Sequence, residues 1–158
     1  MGPPWHRPRQ DGTVGPRVQG DGMVTPVIRQ VVLDGTDVRR LAEFHRQLFG
    51  YEYRPGDEPP ADGPDDLEWL VLRGPGGAVQ LAFQQVDELT PTTWPDDAVP
   101  MQLHLDCSVP DVEALQAVLH RALELGGTLR LDRSEDPDEP LYVVADPAGH
   151  PLCLFVAA

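Results

Sequence analysis

The chain carries one local pattern twice: a short strand, a turn, and an amphipathic helix that begins after an aspartate and ends at glycine. The first copy has a strand at 27–33 and a helix between Asp37 and Gly50, and the second lies within 101–127. The two aspartates, Asp37 and Asp111, are 74 positions apart. Aspartate is a preferred residue at a helix N-cap and glycine at a helix end. The spacing therefore predicts one structural unit used twice.

The second half of each unit is also repeated. The segment GPGGAVQLAF from Gly74 resembles DPAGHPLCLF from Asp146, 72 positions later. Three further strands are expected in the first unit, at 51–54, 67–73 and 79–85, and three in the second, at 128–131, 141–145 and 152–156. Neither unit can bury its sheet and helix alone. We therefore predict two strand–helix–three-strand modules, at about 24–86 and 101–157, in one domain covering 23–158.

The segments outside these modules have a different composition. Residues 1–22 are rich in glycine, proline and arginine, with little to bury, and are expected to be disordered. A proline-rich linker joins the two modules. The loop at 55–66 is rich in turn formers and carboxylates, which leaves two interpretations open: a solvated connection or a mobile lid.

The charge balance limits the partners. The chain has 26 acidic and 12 basic residues, all of the latter arginine, for a formal net charge of −14. Nucleic acid and anionic membranes both require a positive surface, so neither is an expected partner. No run is long and apolar enough to span a membrane, and no secretory signal is recognisable. The only cysteines, Cys107 and Cys153, should face opposite sides of their strands, so we expect no disulfide and a cytoplasmic location.

The strand before the second helix has one apolar and one polar side. Side chains alternate along a strand, so Leu103, Leu105 and Cys107 share one face and should pack on the helix. Gln102, His104 and Asp106 share the other face, which should line whatever the sheet encloses. His104 there has two interpretations: a histidine hydrogen-bonded to Gln30 or Asp106, or an imidazole that contacts a ligand or acts as a general base. His45 and His120 are expected at the surface or flank of their helices, and His150 in a turn.

These motifs resemble a known family. The segment L-D-x-x-D-V-x-x-L-A-x-F from Leu33, PTTWP ahead of QLHLDCSVPD, and DPAGHPLCLF are similar to the vicinal oxygen chelate superfamily. That superfamily includes glyoxalase I, bleomycin-resistance proteins and extradiol dioxygenases; within it, the chain resembles actinobacterial glyoxalase-like proteins. The resemblance implies an α+β, glyoxalase-like fold, in which two βαβββ modules form a curled, cup-shaped mixed sheet with outer helices.

The resemblance also implies where a metal ion would be held in relatives. First-strand ligands fall here on Gln30 and His104, and last-strand ligands on Cys153 and on either Ala82 or Gln80. The carboxylates expected at the last-strand positions are missing. Hard divalent ions require oxygen ligands, so we predict no metal and no other cofactor. Zinc held by His104 and Cys153, with Asp106 adding an oxygen, is the alternative.

The resulting hypothesis is a small-molecule-binding protein that holds an organic ligand in the cup without a catalytic metal. The predicted ligand-binding residues are Gln30, Trp69, His104, Asp106 and Cys153; no catalytic residue is assigned. The alternative is a metal-dependent lyase, isomerase or dioxygenase of the same superfamily, which leaves enzyme activity open. A scaffold whose pocket is filled by side chains is a third interpretation. Module swapping, known in the superfamily, leaves a homodimer open.

Overall fold

The computed structural model describes residues 28–157, except the side chains of 79–80. It also describes the backbone of β1 (Arg17–Val18) and β2 (Val24–Thr25), which pair antiparallel. Within these residues, the first module is a four-stranded mixed sheet with one helix. The predicted disorder of residues 1–22 otherwise falls outside the described residues. The elements of the module are β3 (Val31–Gly35), α1 (Val38–Phe49), β4 (Glu52–Tyr53), β5 (Trp69–Arg73) and β6 (Val79–Gln85). Their order in the sheet is β3-β6-β5-β4, with β3 parallel to β6.

The second module repeats this arrangement. Its elements are β7 (Leu105–Val109), α2 (Val112–Glu124), β8 (Thr128–Arg133), β9 (Leu141–Ala145) and β10 (Pro151–Val156). The sheet order is β7-β10-β9-β8, and β7 is parallel to β10. In both modules the first strand therefore lies beside the last, and α1 and α2 each pack on their own sheet. The predicted fold class, a duplicated βαβββ unit, is confirmed.

Both helices begin and end where the sequence predicts. The Asp37 side chain accepts a hydrogen bond from Arg40 N at 3.0 Å, and the Asp111 side chain accepts one from Ala114 N at 2.8 Å. Gly50 adopts a left-handed conformation, with φ of 65°, that costs other residues free energy. Strand bounds were less accurate, since β3 begins four residues later than expected and β4 has only two residues.

The core consists of two clusters of buried side chains, and α1 contributes to both. One cluster lies between α1 and the first sheet and includes Leu33, Leu41 and Phe83. The other lies between α2 and the second sheet, and it includes Phe44 of α1. Apolar contacts of α1 therefore join the two modules, in addition to the linker between them.

His45 corrects one prediction made from the sequence. It was expected at the surface or flank of its helix, but it is completely buried, and its ring contacts those of Phe44, Phe49 and Phe83. The reason is a partner 101 positions away: His45 Nε2 lies 2.9 Å from Oδ2 of Asp146, in the turn between β9 and β10. A buried polar side chain requires such a partner. His120, by contrast, is exposed as predicted.

The loop at 55–66 is held against the first module at two points. Asp57 is buried, and its carboxylate accepts hydrogen bonds from Arg54 Nη2 at 3.0 Å and from Val71 N at 2.9 Å. Asp65 forms an ion pair with Arg39 of α1 at 2.5 Å. These contacts favour a connection that is anchored at both ends over a mobile lid.

Candidate functional site

The candidate site lies on the face of the second sheet opposite α2. Leu152 and Leu154 of β10 face α2 as part of the core, so Cys153 between them faces the other way. Strand pairing places Cys153 beside Asp106 of β7 and Val143 of β9. Leu131 of β8 pairs with Val143 and extends the same row. Cys153, Val143 and Leu131 form the floor of a cavity of about 180 Å³, which we call the sheet pocket.

The sheet pocket is mainly apolar and is closed on one side by the linker between the modules. Its lining residues come from the linker, from the residue before β7, and from β8, β9 and β10: Trp94, Met101, His104, Leu131, Arg133, Leu141, Val143, Pro151 and Cys153. Arg130 of β8 donates a hydrogen bond to the carbonyl oxygen of Trp94 at 3.1 Å. Within the linker, Thr92 Oγ1 donates to the carbonyl oxygen of Val99 at 2.7 Å. Hydrogen bonds therefore hold the backbone of the linker in place at Trp94, whose side chain lines the sheet pocket.

His104 and Asp106 form a polar pair at this site. Nε2 of His104 lies 3.1 Å from Oδ1 of Asp106, and the two side chains are 45% and 63% exposed. The sequence-based interpretation of His104 as a neighbour of Asp106 therefore agrees with the geometry. Because His104 also lines the pocket, its imidazole can offer one polar group to a molecule bound against the apolar floor.

The two cysteines lie on opposite faces of the sheet, and both are free thiols. Cys153 lines the sheet pocket, whereas Cys107 packs against the core on the α2 side. Burial, together with the nearby charge of Asp106, raises the pKa of Cys107 to about 12, and burial also raises the pKa of Cys153. Thiolates are the nucleophilic form of cysteine. Neither sulfur is therefore suited to nucleophilic chemistry near neutral pH.

Asp106 lies beside Cys153 but does not itself line the sheet pocket, and Gln30 and Trp69, on the first module, do not line it either. Gln30 is partly buried and directly precedes β3, as His104 directly precedes β7. Trp69 begins β5 opposite Gln84, and its indole Nε1 is buried with no hydrogen-bond partner in the described part of the chain. The structure thus brings together His104, Asp106 and Cys153. A ligand-binding role for all five residues stays a prediction.

The residues at the metal-ligand positions of the superfamily do not fit a metal ion. Val32 pairs with Ala82 in the first module as Asp106 pairs with Cys153 in the second, so the counterpart of Cys153 is Ala82. Ala82 has no donor atom, and the side chain of Gln80 lies outside the described residues. Within residues 28–157 as described, no three His, Cys, Asp or Glu side chains are grouped so that they could hold a metal.

Several pocket residues were not identified from the sequence. Leu131 and Arg133 alternate along β8, which could have placed them on one face, but the face was not assigned. Every residue of β9 is buried, so no alternation reveals which of its valines faces the pocket. Trp94 belongs to the linker, where a tryptophan can either pack between the modules or contact a ligand. It lines the sheet pocket, where it can do either.

Comparisons with known proteins agree with this architecture. The sequence model of a family described as a glyoxalase-like domain matches residues 30–155. No curated protein matches the chain. Among solved structures, a glyoxalase/bleomycin resistance protein/dioxygenase family enzyme from Burkholderia phytofirmans PsJN has a TM-score of 0.58 at 15% identity, covering 82% of this chain and 98% of that one.

Two further structures have the same fold. The fosfomycin resistance protein FosX from Listeria monocytogenes has a TM-score of 0.60 at 14% identity, covering 86% of this chain and 96% of that one. A glyoxalase-related enzyme from Fulvimarina pelagi has a TM-score of 0.54 at 21% identity, covering 84% and 89%. At these identities the likeness establishes the fold, and the function must be argued from the site.

Proposed function

Because the chain belongs to the glyoxalase-like domain family, we propose that it binds a small organic molecule in the sheet pocket, without a catalytic metal. The observation that carries this proposal is the pocket itself. Its walls are apolar side chains with His104 as a polar group and the ion-paired Arg133 beside it. Mostly apolar walls with a few polar groups are typical of small-molecule sites.

The size of the pocket supports a ligand of about one ring. Its volume is about 180 Å³, and an apolar cavity of about 150 Å³ holds benzene. Trp94 provides a flat aromatic surface against which a ring can pack. The missing last-strand carboxylates and the raised thiol pKa values support binding over metal-dependent or thiol chemistry.

Two matched compounds test this proposal. Toluene fits the apolar walls, and benzyl alcohol adds one hydroxyl that can hydrogen-bond to His104. We expect both to shift the NMR resonances of Leu131 and Val143. His104→Ala should weaken benzyl alcohol binding by about 1 kcal/mol, roughly fivefold, because one hydrogen bond is lost, and leave toluene binding unchanged. His120→Ala, an exposed histidine on α2, is the control and should change neither affinity.

Two results would contradict the proposal. If neither compound shifts Leu131 or Val143 in the folded protein, the pocket is not a binding site for such molecules. If protein purified without a tag or chelator carries stoichiometric zinc, and both His104→Ala and Cys153→Ser lose it, then the metal-free part is wrong.

The actinobacterial branch of the superfamily and a cytoplasmic location stay predictions, and a homodimer stays an open alternative. No helix in the described residues has the length and hydropathy needed to cross a membrane. Sedimentation of the purified protein tests the homodimer directly.

A further inference from the structure

A second cavity lies beside the sheet pocket, at the turn between β9 and β10. Its volume is about 220 Å³, and we call it the turn pocket. It is lined by the linker, by residues 101–103 ahead of β7 and by the turn, with Thr90, Thr92, Gln102 and His150 as its polar side chains. Met101 and Pro151 belong to the walls of both pockets, so the two cavities are neighbours.

The turn holds a buried carboxylate that binds His150. Oδ1 of Asp146 accepts hydrogen bonds from the backbone N–H groups of Ala148 at 2.9 Å and His150 at 3.0 Å. Nδ1 of His150 lies 3.2 Å and 3.0 Å from the two Asp146 oxygens. The Asp146 side chain is completely buried, whereas that of His150 is 20% exposed. The prediction that His150 belongs to the turn agrees with this geometry. Its ring also lines the turn pocket.

The carboxylate determines which nitrogen of His150 carries the proton. Burial by itself would raise the pKa of Asp146, but hydrogen bonds from His150 and His45 outweigh it and hold the pKa below its usual range. Asp146 is therefore ionised at neutral pH and can only accept hydrogen bonds. Nδ1 of His150 must then be the donor. In a neutral imidazole this leaves Nε2, on the far edge of the ring from Asp146, as a hydrogen-bond acceptor.

We propose that the turn pocket binds a neutral, hydroxyl-bearing ligand of about one ring, whose hydroxyl donates a hydrogen bond to Nε2 of His150. The charge of the pocket supports a neutral ligand, since none of its described lining residues is Asp, Glu or Arg. An ionic ligand would therefore enter without a counter-charge. This site is separate from the one in the proposed function, and either can fail without the other.

Phenol and anisole are matched probes for this site, because anisole has the same ring but no hydroxyl donor. With ¹⁵N-labelled protein at about pH 8, we expect His150 to carry its proton on Nδ1, the nitrogen that faces Asp146. Phenol should shift the Nε2 resonance of His150. Anisole should bind roughly tenfold more weakly, as expected for loss of a good hydrogen bond.

Variants separate binding from folding. His150→Phe should weaken phenol binding by roughly tenfold because it removes the acceptor, whereas His120→Ala should leave it unchanged. The proposal is wrong if His150 carries its proton on Nε2, or if phenol and anisole bind equally well. It is also wrong if phenol leaves the His150 resonances of the wild-type protein unmoved. The wild-type spectra decide these points even if His150→Phe does not fold.

Discussion

Replacing Asp146 with alanine is expected to lower the free energy of unfolding by about 3–5 kcal/mol, a large part of the stability of a domain this size. The carboxylate accepts hydrogen bonds from His45, from His150 and from two backbone N–H groups. Without it, the Nε2–H of the completely buried His45 has no acceptor, and each unsatisfied buried donor costs about 1–3 kcal/mol. Urea denaturation followed by circular dichroism measures the loss.

Asp146→Asn is the matched control. Its amide oxygen can still accept the backbone N–H groups of Ala148 and His150, but the charge is gone, so an intermediate loss is expected. The hydrogen bond between His45 and Asp146 joins the two modules, because Asp146 belongs to the second module and His45 to the first. A loss below about 1 kcal/mol for Asp146→Ala would contradict the view that this pair joins the modules.

The same carboxylate should make stability depend on pH. The pKa of Asp146 is lower in the folded chain than in the unfolded chain, so the folded state binds a proton less readily. Its contribution is therefore present above the ordinary carboxyl pKa of about 4 and is lost as pH falls through the lower folded value. We expect the free energy of unfolding to fall more steeply below about pH 4 in the wild type than in Asp146→Asn. In Asp146→Asn the free energy of unfolding should still fall with pH in this range, because the hydrogen bond from Arg46 lowers the pKa of Glu43 to about 2.

Asp57→Ala is expected to cost about 3–5 kcal/mol as well, by a different route. The side chain of Arg54 is only 8% exposed, and Asp57 is its ion-pair partner at 3.0 Å. Removing the carboxylate leaves a buried guanidinium without a counter-charge. It also leaves the N–H of Val71 without its acceptor, at the point where the two-residue β4 no longer pairs with β5. Chemical denaturation of the variant and the wild type measures the difference.

Asp65→Ala on the same loop is the control. Its ion pair with Arg39 is partly exposed, so its removal should cost only about 0–1 kcal/mol. Equal losses for Asp57→Ala and Asp65→Ala would mean that the whole loop, and not the buried Arg54–Asp57 pair, provides the stability.

The sequence by itself determined the local structure and the duplication. Helix caps, apolar stripes and glycine stops depend on residues within a few positions of one another, and α1 and α2 begin where Asp37 and Asp111 predict. Opposite faces for Cys107 and Cys153 follow from the twofold alternation along a strand. The two first strands even share the 74-residue offset at both ends, at 31–35 and 105–109.

Local patterns cannot determine which residues of the two last strands, β6 and β10, correspond to each other. The sequence repeat, with its offset of 72, would align Cys153 with Leu81. Pairing with the first strands instead makes Ala82 its counterpart, 71 positions away. A shift of one residue moves a side chain to the other face of a sheet. Pairing with the neighbouring strand sets the register of each last strand. An alignment of the two halves of the sequence therefore could not show that Ala82 corresponds to Cys153.

Only the tertiary structure decided the burial of His45 and the composition of the two pockets. His45 lies on the apolar side of α1, but the sequence gives no sign of an acceptor 101 positions away. Trp94, Leu131 and Cys153 meet at the sheet pocket from a linker and two strands. Caps and strand faces are short-range properties of the chain, so they can be predicted from sequence. Buried polar pairs and cavity walls depend on long-range contacts that exist only after the two modules have packed together.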